Sequence, residues 1–168
     1  MKTWAKQTRL QNIKGFTIVE LLIVIVVIAI LATMTIVSFN GIQDRANITT
    51  INASLDQVNK AVNAYYALNG EYPSTSSVWR SQSDASKDSF IPGLVPKVIN
   101  SIPRAKQWSG SATFYYISSG ADYKLLYLYY GGDTIPASAA SDKQVQSMLD
   151  PTRTTRGWGY WTSGATSW

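Results

Sequence analysis

Hydrophobic and polar positions fall into three regimes along the chain. From Phe16 to Phe39 the sequence is almost wholly apolar, interrupted only by Thr17, Glu20, Thr33, Thr35 and Ser38. As a helix this block would span roughly 36 Å, enough to cross a bilayer core of about 30 Å. A helix buried in a soluble core would keep a polar face, and this block has almost none. Beyond it the pattern narrows to one stripe. Ile48, Ile51, Leu55, Val58, Val62 and Tyr65 recur at steps of 3 or 4, the period of an amphipathic helix. Asn40-Gly41 is the weak point between the two regimes, because an interior glycine costs about 1 kcal/mol relative to alanine. The pattern predicts one helix from Phe16 to about Leu68, roughly 80 Å long. Asn69-Gly70 would end it, with Pro73 just beyond.

The third regime is polar with short aromatic runs. Residues 74–89 read as a Ser- and Asp-rich loop, followed by the Pro-rich segment from Phe90 to Pro103. Thr113–Ile117 and Tyr123–Tyr130 read as strands joined by a turn at 118–122. Gly157–Trp161 is a third candidate. Both alternating faces of Tyr123–Tyr130 are largely apolar or aromatic, so one packs on the helix stripe and the other must be covered by loop or neighbour. Two strands alone are marginal. The expected class is therefore α+β: a long N-terminal helix packed on a small antiparallel sheet of three to four strands.

Charge and composition then exclude classes of function. The net charge of +5 comes mostly from Lys2, Lys6, Arg9 and Lys14, all ahead of Phe16; without them eleven basic residues face ten acidic ones. The remainder carries no net-charge footprint for a polyanion. The basic cluster places that end on the cytoplasmic side of a membrane and the C-terminal domain outside. Cys and His are both missing, which removes disulfides, thiolate metal sites and Ser-His-Asp or Cys-His catalysis. No paired acid/base constellation stands out, and no enzyme is expected. The Asn47-Ile48-Thr49 and Asn52-Ala53-Ser54 sequons fall on the helix and read as chance matches.

An ordinary secretory signal is the rival to a membrane anchor, but Ala29-Ile30-Leu31-Ala32 matches the small-residue cleavage pattern poorly. Glu20 is the odd residue of the block. An ionisable group within a membrane segment costs a few kcal/mol and points to function, while a first-turn anion is favoured by the helix dipole.

The stretch Ile13-Lys14-Gly15-Phe16-Thr17-Ile18-Val19-Glu20-Leu21-Leu22 closely resembles the type IV pilin and pseudopilin family. The family signature is a basic leader ending in Gly, then Phe-Thr-x-x-Glu-Leu and a long apolar run. Leu68-Asn69-Gly70-Glu71-Tyr72-Pro73 resembles the segment ending this helix in major pseudopilins and many Gram-positive-type pilins. Two departures stand out. Many relatives carry a Pro inside the apolar run, which is missing here. Ala105-Lys106-Gln107-Trp108 stands where relatives often have Asp-Pro-Trp.

The resemblance implies a pilin fold with this plan: a cleaved basic leader over 1–15, a transmembrane and polymerisation helix over 16–39, an amphipathic continuation over 40–68 and an outer globular domain over 69–168. A prepilin peptidase would cut between Gly15 and Phe16 and methylate the new amino group of Phe16. In the fibre, Glu20 would pair with the Phe16 amino group of a neighbouring subunit. Either charge alone is costly in an apolar bundle and tolerable as a pair, so the pair would select one stagger between subunits. The implied partners are other copies of the chain as a homopolymer, the peptidase, an integral platform protein and an assembly ATPase. The precursor would sit in the inner membrane and the product outside, serving adhesion, motility or DNA uptake.

Two alternatives accompany that reading. One is a pseudopilin of a type II secretion-like system. The other is a membrane-anchored module binding glycan or DNA through its aromatic C-terminal half, where Arg153 and Arg156 sit near Trp158. Asp133, Asp142 and Asp150 are the calcium candidates. Three scattered aspartates fall short of the six to eight oxygens that calcium takes, so no cofactor is expected.

Overall fold

The computed structural model describes residues 15–84, 88–108 and 110–168, with the side chains of 35–38 and 40 left aside. The expected leader, with Lys2, Lys6, Arg9 and Lys14, lies outside the described residues. The chain divides into two compact units, one ending at Asn40 and the other running over Gly41–Trp168. One helix, α1 (Ile18–Asn69, 52 residues), contributes to both. Gly41 does not interrupt it. Gly70 ends it in the left-handed region at φ 77°, and its N–H donates to Tyr66 O at 2.8 Å. That bond is the simplest glycine C-cap.

In the first unit every residue from Gly15 to Met34 is exposed. Among the described residues no helix is long and apolar enough to cross a membrane. The described stretch from Ile18 to Met34 rises only about 26 Å at 1.5 Å per residue. The expected span over 16–39 needs the residues after it.

The second unit packs the amphipathic part of α1 on a four-stranded antiparallel sheet in the order β1-β2-β3-β4: β1 (Arg80–Ser81), β2 (Ala112–Ser118), β3 (Tyr123–Tyr129) and β4 (Gly157–Trp161). Ile48, Ile51, Leu55, Val58 and Val62 of the stripe are buried against Phe114, Tyr116, Leu125, Tyr127 and Trp158. Alternation in β2 and β3 sends every second residue to this core. Polar latches tie helix to sheet: Trp158 Nε1 donates to Asn52 Oδ1 at 2.8 Å, the Tyr123 hydroxyl donates to Asn59 Oδ1 at 2.5 Å, and Asn63 Nδ2 donates to the Tyr123 hydroxyl at 3.3 Å. Between Leu128 and Leu125, β4 runs so close to β3 that a Cβ on Gly159 would lie 2.8 Å from Leu126 Cα. Only glycine fits there.

Two details differ from the sequence expectation. Part of the 74–89 loop forms the edge strand β1. The stretch 131–157 holds two short helices, α2 (Ala137–Ala140) and α3 (Lys143–Ser147). The outer side of β3 is covered by loop, as expected, through residues 162–168: Thr162 N–H donates to Tyr123 O at 3.1 Å, and Lys124 Nζ donates to Thr166 O at 3.1 Å and Trp168 O at 2.9 Å.

Many of the core aromatics are tyrosines, and this gives stability an alkaline limit. Burial pushes the Tyr116 and Tyr127 phenols well above their ordinary value, and the same cause raises Tyr123. In the unfolded chain they ionise near pH 10. Stability is therefore full below about pH 10 and is lost as pH rises toward the native values, by about 1.4 kcal/mol per phenol for each pH unit. An alkaline titration should show these phenols ionising together with the loss of far-UV circular dichroism. Tyrosinate absorbance from all ten tyrosines at full circular dichroism would overturn this.

Candidate functional site

The first helical turn is the site the sequence singles out, and its geometry is local. Thr17 is the residue before α1 and Glu20 lies in the first turn. The Thr17 main-chain N–H donates to Glu20 Oε2 at 2.8 Å, and the Glu20 N–H donates to Thr17 Oγ1 at 3.2 Å. This reciprocal pair is a capping box, which satisfies two of the donors a helix start leaves open. The Thr17 hydroxyl also donates to Oε2, at 2.9 Å. One carboxylate oxygen is thereby held beside the backbone that leads to Phe16. Glu20 Oε1 has no hydrogen-bond donor among the described residues.

Gly15 and Phe16 precede this turn outside any helix or strand, with Phe16 87% exposed. Among the described residues an added Cβ at Gly15 would meet nothing within 4 Å. Behind them, Ile18, Val19, Leu21, Leu22 and the aliphatic residues to Met34 stand about half exposed or more on all sides of the helix. Their unburied surface is worth on the order of 10–20 kcal/mol, which favours contact with lipid or with other apolar helices.

The motif model described as the prokaryotic N-terminal methylation motif matches residues 10–36, the stretch that contains this turn. The type IV wide pilus major component PilA4 of Thermus thermophilus is 30% identical over 136 residues, covering 81% of this chain and 88% of that protein. The chain belongs to the type IV pilin family. Two further proteins match through part of their length. The type II secretion system core protein G of Klebsiella michiganensis is 31% identical over 67 residues, 40% of the pilin described here and 47% of that protein. A fimbrial protein of Neisseria meningitidis serogroup A is 36% identical over 61 residues, 36% of each chain. No solved structure gives a significant match.

The other candidate residues of this pilin do not converge. Asp133 accepts from the Ser111 N–H at 3.0 Å and from its hydroxyl at 3.2 Å. Asp142 caps α3, accepting from the N–H groups of Gln144 and Val145 at 2.9 and 3.0 Å. Asp150 is fully buried, with Lys124 Nζ at 3.0 Å from Oδ1 and Arg153 Nη1 at 3.0 Å from Oδ2. Among the described residues no group of three acidic residues is placed to hold a metal ion. The three calcium candidates are helix cap, turn and ion pair.

The sequons are equally closed, since Asn47 and Asn52 are buried against the sheet side of α1. The aromatic-arginine cluster also falls elsewhere than expected. Trp158 is buried in the core, while the Arg153 guanidinium lies over the Trp79 ring at 5.0 Å.

Sequence reasoning missed the capping role of Thr17 and the buried ion pair of Lys124. The first was legible, because Thr-x-x-Glu before an apolar run is a capping-box signature. Lys124 was visible as a lone cation in an apolar strand, but its partners are 26 and 44 residues away.

Proposed function

We propose that this pilin is a structural subunit of a type IV pilus-like fibre, polymerised through its N-terminal helix after loss of residues 1–15. A prepilin peptidase cuts between Gly15 and Phe16 and methylates the Phe16 amino group. The helix over 16–39 first lies in the membrane and then joins a bundle of like helices. Residues 40–68 carry it into the outer domain of 69–168, which faces the exterior. Glu20 meets the Phe16 ammonium of a neighbouring copy and sets the stagger. The platform protein and assembly ATPase implied by the family drive the process. Adhesion, motility or DNA uptake is the role of the resulting fibre.

The observation that carries this reading is an apolar helix exposed on all sides and headed by a single oriented carboxylate. A lipid bilayer alone would cover the aliphatic surface but gives no reason for Glu20 to lie in it. A bundle of copies accounts for both.

The pseudopilus of a secretion system is the second reading, favoured by the identity to core protein G and by Leu68-Asn69-Gly70-Glu71-Tyr72-Pro73. The intact mass and N-terminal sequence of the protein from its native cell surface test both. A chain beginning at N-methylated Phe16 is expected. One beginning at Met1, or beyond Ala32, would overturn the polymer reading.

A further inference from the structure

A groove of about 560 Å³ lies between the segment after β1, the stretch 104–107 and the start of β2. Its lining includes Arg104 and Lys106 and no carboxylate. Neither cation forms an ion pair among the described residues. Two carboxylates near the lining in sequence or by hydrogen bond, Asp84 and Asp133, are bonded to Ser81 and Ser111.

The backbone beneath the two cations is pinned. The buried Gln82 donates from Nε2 to Pro103 O at 2.9 Å and accepts from the Ala105 N–H at 2.7 Å. The Tyr127 hydroxyl donates to Lys106 O at 2.7 Å. Ala105 is buried while Arg104 and Lys106 on either side are exposed, so alternation puts both charges on the solvent side.

Ser83, Gln107, Ser111 and Thr113 add hydroxyl and amide groups to the walls. Ser111, at one end of the lining, bonds the main chain of Tyr130. The ring of Tyr130, 62% exposed, stacks on Tyr115 with centroids 6.5 Å apart.

We propose that this groove binds an acidic oligosaccharide of the uronate type. A planar carboxylate suits the fork of Arg104, with Lys106 as a second cation. Sugar hydroxyls match the hydroxyl and amide walls, and the C–H face of a sugar ring suits the electron-rich face of Tyr130. The volume falls in the range of small-ligand sites. The near-neutral charge of residues 16–168 argues against a nucleic acid, whose binding needs cations tracking many phosphates.

The proposal concerns the outer domain of one subunit and does not rest on polymerisation. It is tested by calorimetric titration of the full chain in detergent with trigalacturonate, maltotriose and a short oligothymidylate. Trigalacturonate should bind tightest. The Arg104→Gln/Lys106→Gln variant should bind it about tenfold or more weakly, and Tyr130→Ala several-fold more weakly, both with unchanged circular dichroism. Absent trigalacturonate binding, equal binding by the double variant, or tighter binding of maltotriose or oligothymidylate would overturn it.

Discussion

Asp150→Ala should destabilise the outer domain by about 3–5 kcal/mol, a large part of the 5–15 kcal/mol that holds a typical domain. Lys124 and Asp150 have side chains with no solvent exposure at all. Removing the carboxylate leaves a buried ammonium facing the main-chain oxygens of Thr166 and Trp168 and the Trp161 ring at 5.7 Å. It also releases Arg153 and the Thr152 hydroxyl, which bond both Asp150 and the Trp168 oxygen. The C-terminal segment that covers β3 should then come loose.

The loss comes chiefly from stranding a charge, since the net worth of a buried pair is small. A double variant that removes both charges, Lys124→Met with Asp150→Leu, should therefore cost less than Asp150→Ala. Urea unfolding of the full chain, followed by tryptophan fluorescence, distinguishes the two. Equal or greater loss in the double variant would show that the pair itself carries the stability.

The same cluster sets an acid limit. Burial pushes the Asp150 carboxyl up, but hydrogen bonds from Lys124, Arg153 and the Thr152 N–H outweigh it and leave it below its ordinary value. Its contribution is present above the unfolded value of about 3.9 and is lost as pH falls through the lower native value. The urea midpoint should therefore fall as pH drops below about 4 in the wild type. Asp150→Asn should lack that part of the dependence.

Glu20→Ala should abolish incorporation into fibres while the outer domain stays folded. Glu20 lies in the unit ending at Asn40 and touches only its own turn among the described residues. Two further variants separate its roles. Gln at the same position can keep the capping box but carries no charge. Thr17→Ala removes the box and keeps the charge.

If the carboxylate acts by meeting a neighbour's ammonium, Glu20→Gln should fail like Glu20→Ala, and Thr17→Ala should assemble at a reduced level. Fibre yield by electron microscopy, with cleavage checked by intact mass, gives the answer. Normal fibres from Glu20→Gln would leave only helix capping as the role of Glu20.

The order of elements was legible because each depends on local pattern. The stripe from Ile48 to Tyr65 has a helical period that survives any context. Gly70 is one of the few residues that take a positive φ without strain, and the β2–β3 pairing follows from a short turn between aromatic runs. The family motif was legible for a related reason, since Gly15, Phe16, Thr17 and Glu20 act within one turn of chain. Even the missed capping box needed only spacing.

Other features joined residues far apart in sequence, and no local pattern specifies such contacts. Two residues of the polar 74–89 loop became β1 because β2 offered an open edge at Tyr115 and Tyr116. Asp150, one of three scattered calcium candidates in the sequence, is buried against Lys124 and Arg153. The arginines expected beside Trp158 could not reach it once alternation turned that ring into the core. The groove at Arg104 exists because Gln82, just after β1, and Tyr127 of β3 pin its floor. Pattern along a chain determines which residues want burial, helix or strand; which charge is buried against which depends on three-dimensional packing.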